Sequence, residues 1–150
     1  YEISACLVGS EMCIRDRIDV IIDDIRGRYP SVEFKWEGHI ENDLRLSQMD
    51  LCTLFSNLIS NAFEAAEFCN DKRVNICVKF LESTLFINVE NTYFKEPIIK
   101  DNEFISIKSG EGHGYGMQNI KECLIKYNGH MDNDYCNGIF ITDIVIPNAI

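Results

Sequence analysis

Hydrophobic residues recur along this chain with two periods, and the switches between them mark out its elements. Ile18, Ile21, Ile22 and Ile25 keep helical spacing as far as Pro30, so residues 18–28 read as the end of a helix that began earlier. "SVEFKWEG" alternates, with Val32, Phe34 and Trp36 on one face, as a strand does. Leu51, Leu54, Phe55, Leu58, Ile59, Ala62, Phe63 and Ala66 then form an unbroken apolar stripe. It predicts a long helix capped by Asp50 and reaching about Phe68. "RVNICVKFLESTLFINVEN" alternates twice, through Val74, Ile76, Val78 and Phe80 and then Leu85, Ile87 and Val89, which predicts two strands about a turn at Glu82-Ser83. Residues 92–111 are polar and irregular and contain Pro97; loops of that length are usually lids or disordered. Met117, Ile120, Cys123, Leu124 and Tyr127 return to helical spacing until Gly129 ends the run, and Asn137-Gly138 divides a last pair of strands. This order predicts an α+β fold, a two-layer sandwich whose mostly antiparallel sheet carries about three helices on one face.

Composition narrows the class. The 150 residues are 46% apolar and 25% charged, enough for one domain with a real core. No apolar run reaches the roughly 18 residues that a membrane span needs, so no membrane contact is expected of this domain. The net charge of -10 and the lack of a basic patch argue against a nucleic-acid partner. Seven cysteines, none in a CxxC pair, read as reduced and mostly buried thiols of a cytoplasmic domain, without zinc or disulfides. Residues 1–17 are set aside from this fold reading. Within them "CLVGSEMCIRDR" resembles a translated sequencing-adapter segment, and on that reading the natural N-terminus lies elsewhere.

Two stretches carry chemistry. In "EGHGYGMQNIKECL" the glycines Gly112, Gly114 and Gly116 alternate and open at once onto an amphipathic helix. Glycine is costly to order, so the backbone there must turn tightly or approach something closely. A glycine loop leading into a helix N-terminus suits phosphate, although a plain glycine-rich turn has the same letters. In "LCTLFSNLISNAFEAAE" the side opposite the apolar stripe is a narrow line of Thr53, Asn57, Ser60, Asn61 and Glu64. Lysine, glutamate or arginine would hold a solvated helix face better than two mid-helix asparagines. Short amides suit a cation and a fixed water; a tolerated polar face is the alternative.

Together these stretches resemble the GHKL ATPase superfamily, with its Bergerat fold, which includes histidine kinases, DNA gyrase, MutL and a class of chaperones. The asparagine helix resembles that family's N box, and Gly112, His113, Gly114, Tyr115 and Gly116 resemble its G2 box. "FINVENTYF" takes the place of the G1 box, usually DxGxG, but has neither its aspartate nor its glycines; Asn91 stands where the aspartate would. "VENT" followed by "SxxxGHGYGMxN" is most similar to histidine kinases that sense peptide pheromones, the accessory-gene-regulator type. The resemblance covers residues 18–146.

The resemblance implies an ATP site closed by a lid over residues 92–111. Asn61 is then the Mg²⁺ ligand, and Asn91 meets the adenine amino group. Gly112, His113, Gly114, Tyr115, Gly116 and Met117 wrap the triphosphate, with His113 a lid hydrogen-bonder. Lys108 is a candidate phosphate contact or a solvated lysine. Asn57 holds the catalytic position where gyrase-like members carry a glutamate base. An amide takes no proton at neutral pH, which favours phosphoryl transfer over attack by water. His39, His113 and His130 lie on no dimer-forming helix, so the phosphoacceptor and dimerisation domain are expected outside this chain, in a homodimeric, membrane-anchored parent that signals to a response regulator. A serine kinase of the anti-sigma-factor type and a degenerate GHKL module that only binds a partner are the other readings.

Overall fold

In a computed structural model, residues 13–94, 98–100, 103–105 and 115–150 are described. Helix α1 runs Ile14–Arg28, strand β1 Glu33–Gly38, helix α2 Gln48–Glu67, β2 Arg73–Leu81 and β3 Thr84–Thr92. Two short strands follow, β4 Ile98–Lys100 and β5 Glu103–Ile105, then α3 Tyr115–Lys126, β6 His130–Cys136 and β7 Ile139–Ile146. The main sheet has the order β1-β2-β3-β7-β6. Among the described residues only β1 and β2 pair parallel; α2 supplies the crossover that a parallel pair requires. The expected α+β sandwich is the fold observed.

Alternation along the strands gives the sheet two unlike faces. Val74, Ile76 and Val78 of β2, Leu85, Ile87 and Val89 of β3, and Ile144 and Ile146 of β7 are buried. They share a core with the stripe of α2, in which Leu54, Phe55, Ile59, Phe63 and Ala66 have no exposed surface. Burying one such large apolar side chain is worth about 1.5–3 kcal/mol, so the α2 stripe is the largest apolar contribution of any helix here. Rings lock its register: Phe63 lies 5.5 Å from Phe34 and Phe55 lies 5.7 Å from Trp36. The other face of the sheet carries Lys35, Glu37, Asn75, Asn88, Glu90 and Asp143, with Asn88 Nδ2 donating to Asp143 Oδ1 at 2.8 Å.

Four boundaries differ from expectation. Helix α1 starts at Ile14, and Ile14 and Arg17 are buried, so residues 14–17 are part of the helix rather than outside the fold. The N-cap of α2 is Ser47, whose side chain accepts the N–H of Asp50; Asp50 sits inside the first turn. Residues 92–111 are not wholly irregular, since β4 and β5 pair antiparallel within them. The left-handed residue that ends α3 is Asn128 (φ 55°), with the N–H of Gly129 closing back on Leu124 O at 2.7 Å in a Schellman arrangement. Asparagine tolerates that backbone, and Gly129 is needed for closeness: a Cβ there would lie 2.8 Å from Leu124. The turns at Glu82 (φ 54°) and Asn137-Gly138 (φ 51° and 80°) fall where the alternation put them. Cys52, Cys69 and Cys123 are buried as expected, but Cys136 is exposed.

Gly27 lies inside α1 with nothing within 4 Å of an added Cβ. Gly27→Ala is expected to raise stability by about 0.5–1 kcal/mol in urea denaturation, from helix propensity alone.

Candidate functional site

Helix α2 brings its two asparagines, one turn apart and half-buried, to the start of α3. A Cβ placed on Gly116 would lie 2.9 Å from Asn57 Oδ1 and 3.5 Å from Asn61 Oδ1. The second helical residue of α3 therefore rests on two amide oxygens, and a side chain there would occupy the space between them. Asn57 is oriented by its own helix: its Nδ2 donates to Thr53 O at 2.7 Å, which leaves the oxygen toward Gly116. The first N–H groups of any helix lack intrahelical partners and carry its positive end, so amide oxygens and unpaired N–H groups meet in one place. Such a pairing can share an anion and a hard cation. Among the described residues no group of three or more His, Cys, Asp or Glu could hold a metal ion. Amide oxygens fit Mg²⁺, which takes few protein ligands and keeps several waters.

The sheet holds the third of the expected asparagines. Asn91, near the end of β3, is only 5% exposed, and its Nδ2 donates to Thr92 O at 3.0 Å. Thr92 itself is tied across to β2, accepting the N–H of Arg73 at 3.1 Å. Asn91 pairs with Phe140 on β7, and Phe140 with Tyr135 on β6. The next row toward the centre holds Val89, Thr142 and Asn133, with Thr142 Oγ1 donating to Asn133 Oδ1 at 2.9 Å. Tyr93 packs its ring 6.0 Å from Phe140 and edge-on to Tyr135 at 6.1 Å. These residues put polar groups and rings on the helix-facing side of the sheet. Sequence reasoning did not single out Thr142 or Asn133 as a buried polar pair; the signal was a hydroxyl at an inward position of "IFITDIVIP", on the same face as Ile144 and Ile146.

A profile for the GHKL domain matches residues 46–147, two thirds of the chain. The chain belongs to the GHKL domain family. Solved structures agree on the fold. The mycobacterial sensor histidine kinase MprB superposes with a TM-score of 0.68 at 18% identity, over 88% of this chain and 93% of that one. The catalytic domain of histidine kinase ThkA gives a TM-score of 0.65 at 16% identity, over 87% and 91%. Full-length ShkA in complex with AMPPNP gives 0.66 at 14% identity, over 88% of this chain and 29% of that chain. A search of curated protein sequences finds no match.

The GHKL domain thus brings Asn57, Asn61 and Gly116 together and buries Asn91 near the end of β3, on the face of the sheet that α2 covers. Met117 is half-buried and packs against the core. Lys108, Gly112, His113 and Gly114, and the side chain of Tyr115, lie outside the described residues.

Helices α2 and α3 meet again at their far ends. Asp50 Oδ2 accepts the hydroxyl of Tyr127 and the ammonium of Lys126, the latter at 2.6 Å. The Tyr127 oxygen in turn accepts the N–H of Ser47 at 3.0 Å. Cys123 lies against the same turn, its Sγ 3.9 Å from Asp50 O, and burial followed by the Asp50 charge pushes its thiol up to about 11. Burial opposes the Asp50 charge, but hydrogen bonds from Lys126, Tyr127 and Ser47 outweigh it and hold the carboxyl below its ordinary 3.8.

Two outcomes are expected. Gly116→Ala gains about 0.5–1 kcal/mol of helix propensity but crowds Asn57, at a typical cost of about 1–3 kcal/mol. Urea denaturation should show a net loss, opposite in sign to Gly27→Ala. Because the folded pKa of Asp50 is depressed, its contribution is present above the ordinary aspartate pKa and is lost as pH falls through the folded value. The stability gap between wild type and Asp50→Asn should be open near neutrality and close below about pH 4.

Proposed function

We propose that this GHKL domain is the ATP-binding catalytic domain of a sensor histidine kinase, which transfers the γ-phosphoryl group to a histidine on a separate dimerisation domain. The observation that supports it is the seating of Gly116 on Asn57 and Asn61, because it joins the two stretches that the chemistry needs. Asn61 Oδ1 would hold Mg²⁺, and the bound Mg²⁺ would offset charge on the phosphate oxygens. Backbone N–H groups at the start of α3 would hold the phosphate tail, and Asn91 would read the adenine amino group through its amide oxygen. Asn57 would orient rather than deprotonate, since its amide takes no proton and its Nδ2 is already committed to Thr53 O. Hydrolysis should then be slow, with transfer awaiting the histidine.

The similarity of "VENT" and the glycine stretch to pheromone-sensing kinases supports a place in two-component signalling, with a response regulator downstream. One observation favours a second reading, a partner-binding module without nucleotide. The G1 aspartate is replaced by Asn91, whose own amide nitrogen bonds within the strand.

Titration with a non-hydrolysable ATP analogue, with and without Mg²⁺, separates the two. Tight binding is expected only with Mg²⁺, and Asn61→Ala should remove most of the metal-dependent part. GTP should bind more weakly, since its carbonyl would leave the Asn91 acceptor unpaired at a cost of about 1–3 kcal/mol. Equal affinity with and without Mg²⁺ would reject the Asn61 role, and no binding at all would leave the partner-binding module.

A further inference from the structure

We infer that Asp50 and Tyr127 are positioning residues for the nucleotide site: their clasp fixes the C-terminal end of α3 and so holds its N-terminal end on Asn57 and Asn61. The inference rests on the nucleotide reading above and deepens it.

Helix α3 meets α2 at both of its ends. At one end Gly116 meets the asparagines in the middle of α2, through a contact that involves no side chain of its own. At the other, Lys126 and Tyr127 grip the first turn of α2. The two helices therefore run in opposite senses, and the seat at Gly116 and the grip at Lys126 lie at opposite ends of the twelve residues of α3. A helix of that length is a stiff rod of about 18 Å. A rod held at one end by directed polar bonds transmits a small rotation there into a displacement at the other.

The bonds of the clasp are directional and interlocked. Tyr127 is both donor to Asp50 and acceptor from the Ser47 backbone, so its hydroxyl is fixed by two partners on the same helix start. Asp50 Nα–H is in turn held by Ser47 Oγ at 3.0 Å, so cap and clasp are one unit. Between grip and seat, Ile120, Cys123 and Leu124 bury apolar surface, an attraction to the core that has no direction of its own. Fixing its angle falls to the polar ends. An effect through position rather than contact has a signature. It should alter binding of the phosphate tail, which the start of α3 would hold, and spare binding of the adenine, which the sheet would hold.

The test compares wild type with Tyr127→Phe and Asp50→Ala, measuring the affinity of a non-hydrolysable ATP analogue with Mg²⁺ and of adenosine, together with the side-chain amide resonances of Asn57 and Asn61. Lys126→Ala is a gentler variant, because that side chain is 58% exposed and its loss will not unfold the chain. Lys79→Ala, on the exposed face of the sheet, is the control. We expect the clasp variants to weaken the ATP analogue at least about fivefold, the lower range of measured coupling between sites, with adenosine unchanged. The asparagine resonances should shift in the clasp variants and stay in place in Lys79→Ala. Parallel losses for both ligands, or no loss, overturn the positioning role. If wild type binds neither ligand, the nucleotide reading fails, and the resonances alone decide: unmoved amides in Tyr127→Phe and Lys126→Ala overturn the clasp.

Discussion

Everything in this domain is organised around the burial of one face of α2. Its apolar stripe fills the space above β2 and β3 and also receives α1 and α3. Side chains such as Phe55 and Phe63 are too large to move without opening a cavity, which fixes the helix in rotation about its axis. That rotation then dictates where the opposite side points. The line of Thr53, Asn57, Ser60 and Asn61 has no freedom to choose its surroundings; it is carried to the start of α3 by packing on the other face.

The consequence is that a polar site is built from elements that are individually weak. Asparagine is a poor helix former, glycine a poorer one, and the contact between Gly116 and the two amides would add little by itself. What permits them is the surplus of apolar burial around them, together with the bonds at the other end of α3. The sheet contributes in the same way. Asn91 and Thr142 occupy inward positions that hydrophobic residues fill elsewhere in the same strands, and each is satisfied by a hydrogen bond to a neighbour. Polar groups at such positions cost less when the flanking rows, here Ile87 with Ile144 and Leu85 with Ile146, are wholly apolar.

The chemistry of the site follows from amides standing where acids could. A carboxylate at Asn57 would both repel phosphate and accept a proton from water; the amide does neither. An amide at Asn91 keeps one acceptor but turns its nitrogen into the strand. The neutral amides of Asn57 and Asn61 do not oppose the positive end of the α3 dipole as carboxylates would.

Periodicity alone determined most of the architecture. The strands of the main sheet, the two long helices and the turns at Glu82 and Asn137-Gly138 were legible because alternation and helical spacing are local consequences of which face must be dry. The asparagine line was legible for the same reason, as a polar stripe of the wrong composition for solvent. Tertiary structure decided what no local pattern encodes. It placed Gly116 on Asn57 and Asn61, which are more than fifty residues away in sequence. It put Thr142 in the row of Val89 and Asn133, since strand order and register join residues that the sequence keeps apart. It gave the Asp50 carboxylate its partners Lys126 and Tyr127, which only the docking of α3 supplies, whereas the cap at Ser47 is a local bond to the Asp50 N–H. It also set the start of α1 at Ile14, where Ile14 and Arg17 are buried on the core side of a helix whose beginning the spacing from Ile18 onward left open. A residue's period tells which way it faces; only the assembled core settles what it meets there.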